Sequence, residues 1–223
     1  MYLVTAATPF ELDPFLRACP AGLSVESLVC GVGPVETALR LTALLARREA
    51  AGAPRYRGVV NIGVAGAYRR LEGGADLLDL CLAEREVLGD LGICDEETIT
   101  SLRSDTLEIL DTFDLDGPLL VEAEDVLAAC GLAVRCGTFV TVNCVSATSR
   151  RGDQLASRHN ALCENMEGAA AARVCREFGL PLLEMRCVSN LVEERDPRTW
   201  RLREASDRCG QAAALLMQGL PHD

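Results

Sequence analysis

Short apolar runs alternate with longer amphipathic stretches along this chain, a pattern of strands joined by helices. Met1 to Thr5 is apolar almost throughout and reads as a buried strand. Leu28 to Cys30 reads as a second, closed by Gly31-Val32-Gly33. Pro34 then opens a helix expected to reach about Ala50, because proline suits the first helical position. Val59 to Ile62 is a third strand, with Gly63 and Gly66 as its expected end, and Leu77 to Leu82 is a fourth. Leu132 to Val142 carries strand-forming runs broken at Gly137. Glu167 to Phe178 reads as an alanine-rich helix and Leu182 to Val188 as a late strand. Thr199 to Gln218 places apolar residues at helical spacing. Leu88 to Asp116 fits no element: it is acidic, holds Gly89 and Gly92, and is expected to be an insertion or a loop over a site.

Strands alternating with helices predict an α/β layered domain. No repeat and no low-complexity linker divides the 223 residues, so residues 1–223 are expected to form one domain. The hydrophobic share of 49 % and charged share of 25 % fit a globular chain and exclude disorder as a reading of the whole.

Charge narrows the chemistry. There are 33 acidic against 22 basic residues, and every basic residue is arginine. Without lysine there is no lysine Schiff base and no phosphate-loop lysine. The formal net charge of -11 argues against nucleic-acid and membrane-surface partners, which need basic patches. The 11 cysteines contain no CxxC pair, and His159 and His222 offer no metal-ligand spacing with them, so no metal is expected. Most lie in apolar runs and read as small buried hydrophobes. No leader-like segment precedes the first strand run, and no apolar stretch reaches the ~20 residues of a spanning helix. A reducing cytoplasm is the expected setting.

Candidate chemistry gathers at strand ends, where α/β sheets bind ligands. Three small-residue segments stand there: Thr5 to Glu11, Gly31-Val32-Gly33-Pro34, and Asn61-Ile62-Gly63-Val64-Ala65-Gly66. None matches a dinucleotide or phosphate-loop fingerprint, so no nucleotide cofactor is expected, and each alone is equally a turn. Sharper is Glu164-Asn165-Met166-Glu167-Gly168-Ala169-Ala170, where Glu167 begins an apolar helix whose N-terminus favours a carboxylate. Met185-Arg186-Cys187-Val188-Ser189-Asn190 buries an arginine in an apolar strand, which is costly without a partner. Glu11 and Glu167 are its candidate partners, and Asn190 falls where that strand ends.

Taken in order, the early Glu11, the GVG-P run, NxGxAG, ENMEG and RxxSN resemble the nucleoside phosphorylase family over roughly Met1 to Gln218. The nearest branch resembles its hydrolytic nucleosidases. The stretch Ser189 to Asp196 with Trp200 further resembles the futalosine-hydrolysing branch, which belongs to a route to menaquinone. The resemblance implies a three-layer α/β domain with a central mixed sheet flanked by helices, no cofactor, and a small-molecule nucleoside as substrate. It also implies a homo-oligomer, a dimer or larger.

The same resemblance implies roles. Glu11 matches the acid that activates water and is expected to belong to strand one; Arg186 matches an arginine beside it. Glu167 matches the acid that binds the ribose hydroxyls, with Met166 beneath the sugar. Gly63, Val64 and Ala65 fall on the sugar side, with Val64 where the family usually carries a hydroxyl, and Thr141, Val142 and Asn143 fall near the base pocket. Asn190 stands where adenine-specific members carry aspartate. An asparagine amide donates to an acceptor and accepts from a donor, the pattern a 6-oxopurine presents at its oxo group and protonated N7. Asn190 therefore predicts hypoxanthine or another 6-oxopurine as leaving group.

Water is favoured over phosphate as nucleophile. Arg69, Arg70, Arg150 and Arg151 stand in no phosphate motif, and Glu11 would repel the anion. The carboxylate tail of futalosine calls for an arginine, with Arg69, Arg70 and Arg195 as candidates. Two other readings stay open: a general 6-oxopurine nucleoside hydrolase or phosphorylase, and a silent purine-binding module. The module predicts loss of Glu11 or Glu167, and both are present.

Overall fold

A computed structural model describes residues 1–69, 73–95, 98–100, 102, 106, 109–193 and 196–221. Its elements run β1 (Tyr2–Ala6), α1 (Pro9–Ala18), β2 (Val25–Val29), α2 (Pro34–Ala50), β3 (Val59–Tyr68) and β4 (Leu80–Leu88). The short strands β5 (Ile93–Asp95), β6 (Thr98–Thr100) and β7 (Thr112–Asp114) follow, then α3 (Pro118–Ala129), β8 (Val134–Thr141), α4 (Ser149–His159) and β9 (Ala161–Asn165). The chain closes with α5 (Gly168–Glu177), β10 (Leu182–Val192), a 3₁₀ turn at Pro197–Thr199, and α6 (Leu202–Gly219).

The sheet is mixed and partly closed on itself. β2, β1, β3 and β10 are parallel neighbours. β10 continues antiparallel to β4, β4 parallel to β8, β8 parallel to β9, and β9 returns antiparallel to β3. Side chains alternate across the open part. Tyr2, Val4 and Ala6 face a core shared with α1, α3 and α6, while Leu3 faces the core under α2 and α5. The ring interior is filled by Ala65, Ala67, Cys81, Ala83, Phe139, Leu162, Cys163 and Val188. Helices therefore flank a central mixed sheet on both faces, the expected fold class.

Several boundaries differ from the sequence reading. β3 does not end at Gly63 or Gly66 but runs on to Tyr68, because its small residues leave room for side chains that cross it. β8 likewise passes through Gly137, whose missing Cβ makes room for Leu162. The helix α1 was not expected, although Thr8 and Glu11 carry the spacing of a capping box. The cysteines divide: Cys30, Cys81, Cys163, Cys175, Cys187 and Cys209 are buried, whereas Cys94, Cys130 and Cys144 are exposed. Among the described residues, no helix is long and apolar enough to cross a membrane.

Candidate active site

The carboxyl ends of β1, β9 and β10 and the middle of β3 surround a cleft of about 180 Å³. Its lining includes Glu11, Val64, Ala65, Met166, Glu167 and Asn190, with Val32, Val145, Ser146, Trp200 and Leu202 toward its rim and walls. A larger cavity of about 550 Å³ lies at the other end of the sheet, by Tyr2 and Leu182, and holds none of the motif residues.

Glu11 stands in the first turn of α1, not in strand one. Thr8 caps that helix by accepting the Glu11 N–H at 3.3 Å, and its hydroxyl donates to Glu11 Oε2 at 2.8 Å. Glu11 Oε1 accepts the Val64 N–H at 3.1 Å. Both oxygens are thereby fixed, in a residue only 7 % exposed whose side chain lines the cleft. Gly63 makes this possible: a Cβ there would lie 2.6 Å from Glu11 Oε1 and 2.5 Å from Arg186 Nη1.

Glu167 caps the N-terminus of α5. Its Oε1 accepts the Gly33 N–H at 2.9 Å and its Oε2 pairs with Arg186 Nη1 at 3.4 Å. Burial raises its pKa above the ordinary range, and Arg186 and the Gly33 N–H partly offset this. Asn165 accepts the N–H groups of Glu167 and Gly168 at 2.9 and 2.8 Å, which holds the turn that aims Glu167 at the cleft.

Arg186 is 1 % exposed and does not line the cleft. It bonds Glu184 at 2.9 Å and reaches the cleft through Glu167. Of its two expected partners it therefore takes Glu167, together with Glu184 two residues away on the same strand. No direct bond to Glu11 is among the described contacts. Burial disfavours the Arg186 charge, but Glu184, Glu167 and Glu11 outweigh that and hold its pKa above the ordinary value.

Asn190 sits on β10 opposite Gly66, just past an irregularity in the pairing. Ser189 donates its hydroxyl to Asn190 Oδ1 at 2.8 Å, which orients the amide. The Nδ2 group makes a long 3.4 Å bond to Leu191 O.

The base-side expectation falls differently. Thr141 is buried beneath α5, where its hydroxyl accepts the Ala169 N–H at 2.8 Å, and Val142 packs with Tyr68 and Leu155. Asn143 is tied to Asp90 through its N–H at 2.7 Å. The cleft wall from this loop is instead Val145 and Ser146, four residues on, because the chain must first clear the end of β8. Glu164 secures that wall by accepting the Ser146 N–H and hydroxyl, each at 2.7 Å, and the Tyr68 hydroxyl at 3.2 Å. Its place in the ENMEG run was visible, but not its target. Of the tail candidates, Arg69 forms an exposed pair with Glu193 at 3.4 Å, while Arg70 and Arg195 lie outside the described residues. No described residue of 88–116 lines the cleft.

Residues 8–220 match the sequence family described as the phosphorylase superfamily. The chain is 33 % identical over 231 residues to the futalosine hydrolase of Thermus thermophilus, covering 97 % of this chain and 95 % of that protein. It is 31 % identical over 251 residues to the futalosine hydrolase of Streptomyces coelicolor, covering 99 % and 98 %. Among solved structures, native futalosine hydrolase of Helicobacter pylori superposes with a TM-score of 0.80 at 20 % identity, covering 98 % of this chain and 97 % of that one. A 5′-methylthioadenosine/S-adenosylhomocysteine nucleosidase from the same organism, bound to butyl-thio-DADMe-Immucillin-A, gives 0.81 at 19 % identity with 98 % of each chain covered.

Proposed function

This chain belongs to the phosphorylase superfamily, and from that membership we propose that it is an N-glycosidic hydrolase that acts on futalosine. The observation that carries the reading is the pair Glu11 and Glu167 in one cleft, each with both carboxylate oxygens held by fixed donors. Curated relatives that share this chain nearly end to end are futalosine hydrolases. Its place in menaquinone biosynthesis follows as part of the same proposal.

In this mechanism the base leaves first and the sugar becomes oxocarbenium-like. Glu167 accepts from the ribose hydroxyls with the lone pairs that Gly33 and Arg186 leave free. Met166 packs under the sugar. Glu11 takes a proton from water as the water attacks the anomeric carbon, with Val64 N–H and Thr8 holding the carboxylate in place. Two carboxylates aimed at a growing positive charge stabilise it without reorganisation. Arg186 acts by positioning Glu167 and not by touching substrate.

Hypoxanthine is the proposed leaving group: N7 takes a proton from solvent as the glycosidic bond breaks, and Glu11 returns to solvent the proton it takes from the attacking water, so that one water is consumed. Ser189 occupies one lone pair of Asn190 Oδ1, which leaves a second for protonated N7 and an amide hydrogen for the oxo group. Val32, Trp200 and Leu202 offer an apolar and aromatic wall for the ring of the futalosine tail. A homo-oligomer is proposed because Val32 at the cleft and Val35 and Leu39 on α2 are 54 %, 76 % and 63 % exposed. The free cysteines fit a cytoplasmic setting.

The test is base release from futalosine and from inosine, each with and without phosphate. Phosphate-independent hypoxanthine release from futalosine, with little from inosine, is expected. Release only with phosphate, or equal release from inosine, would move the protein to general purine salvage.

A further inference from the structure

Two more glutamates lie beneath the cleft, and the mechanism above uses neither. Glu86 on β4 and Glu184 on β10 are both 0 % exposed. Glu86 Oε1 and Glu184 Oε2 converge over Gly168, where a Cβ would stand 2.1 Å from each. Only a glycine admits this meeting.

The rest of the pocket is committed. Thr141 donates to Glu86 Oε2 at 2.8 Å, and Asn165 Nδ2 donates to Glu86 Oε1. Glu184 Oε1 takes Arg186 Nε at 2.9 Å and lies 2.8 Å from its Nη2. Glu184 Oε2 has no donor among the described groups unless Glu86 supplies one. Arg186 already serves Glu184 and Glu167. The titratable groups facing this pair are Cys163 on β9, near both glutamates, and Arg186 on β10 and Glu167 at the start of α5, which face Glu184. One cation among these carboxyls cannot neutralise them all, and two buried carboxylates in contact cannot both ionise.

We infer that Glu86 is a permanently protonated carboxylic acid that donates to Glu184, and that this acid pair is a positioning device which fixes Arg186 and, through it, Glu167. Burial, followed by the neighbouring Glu184 charge, pushes the Glu86 pKa well above the ordinary range, in the direction this requires. The proton gives Glu184 Oε2 its missing partner. It leaves Glu184 a single carboxylate against Arg186, so that Nη1 stays directed at Glu167. Glu86 also reaches the α5 N-terminus through Asn165 and Thr141, while Glu184 holds Arg186, so the turn that aims Glu167 and the arginine that pairs with it meet at this acid pair. The kinetic consequence rests on the role proposed for Glu167; the protonation of Glu86 does not.

The experiment compares Glu86→Gln and Glu184→Gln by infrared spectroscopy and by the pH profile of futalosine hydrolysis. Wild type at pH 8 should show the carbonyl stretch of a protonated buried carboxylic acid, and Glu86→Gln should lose it. Glutamine keeps the shape and the donor toward Glu184 but gives up the bond accepted from Asn165 Nδ2, so its kcat/KM should fall by no more than about tenfold, with the acid limb of the profile unmoved. Glu184→Gln should lose about 100-fold in kcat/KM, the scale of a misplaced catalytic group. Its acid limb should move to lower pH, because a negative charge beside Glu167 is gone and Arg186 is left to it. A merely structural role would not shift that limb. If Glu86→Gln does not fold, Glu86→Met serves the infrared comparison. No such band in wild type overturns the inference. So does a Glu86→Gln loss as large as that of Glu184→Gln, or a Glu184→Gln enzyme like wild type. A band that disappears as expected beside an unmoved acid limb would retain the acid pair and refute the role given to Glu167.

Discussion

Gly63→Ala is the most direct test of how the water-side carboxylate is held. Gly63 is the point where β3 passes between Glu11 and Arg186. A methyl group there would lie 2.6 Å from Glu11 Oε1 and 2.5 Å from Arg186 Nη1, against 3.4–4 Å for ordinary contact. Roughly 1 Å of movement must be found, about the misplacement that costs a hundredfold in rate. Arg186 cannot supply it cheaply, since it is 1 % exposed and tied to Glu184 and Glu167. Glu11 borders the open cleft and is the group that yields, breaking its 3.1 Å bond to the Val64 N–H. Overpacking of this kind costs about 1–3 kcal/mol of stability. The variant should therefore fold, with a lowered Tm and kcat/KM for futalosine down about 100-fold. Thermal unfolding and hypoxanthine release measure the two halves separately. Wild-type activity in a folded Gly63→Ala enzyme would refute the argument, because the base would then not depend on this packing.

Other outcomes follow from the same geometry. Asn190→Asp reverses the donor pattern toward a 6-oxopurine and should cost about 1–3 kcal/mol, roughly 5- to 150-fold in kcat/KM. Ser189→Ala removes the 2.8 Å bond that orients the amide; a loss of about 1 kcal/mol, roughly fivefold, is expected in the same base-release assay. Glu167 must be ionised to hold the ribose hydroxyls, and burial raises its pKa. Activity should accordingly be complete above that raised value and fall as pH drops through it, giving an acid limb above the ordinary glutamate range of about 4.3 that Glu167→Gln abolishes. Val35→Glu puts a charge on the exposed apolar face of α2; light scattering after gel filtration should show a smaller assembly than wild type, and an unchanged mass would remove that face from the interface.

Much of this protein was legible without coordinates. Local pattern placed α2, α5 and β10 to within a few residues, because a proline start, an alanine-rich helix and an apolar strand are written in adjacent positions. The order of five short motifs pointed to the family, and Arg186 in an apolar strand announced a buried partner. The partner itself was not legible. Glu184 lies two residues away on the same strand, and Glu86 comes from a strand about 100 residues earlier. Glu184 is an acid inside an apolar run, the same warning Arg186 gave, whereas Glu86 follows Glu84 and Arg85 in a charged stretch, and only pairing across the sheet identifies which charges meet. Thr8 and Glu11 likewise carried a capping signature, yet whether that carboxylate faces solvent or Val64 depends on where β3 lies. The loop after β8 shows the limit most clearly: sequence brought Thr141, Val142 and Asn143 to the neighbourhood, while the packing of α5 and the Asp90 tether turned them aside and left Val145 and Ser146 at the cleft. Sequence determines which elements form and which groups can react, since those depend on neighbours along the chain. Which oxygen faces which donor depends on neighbours through space, and the tertiary structure alone decides it.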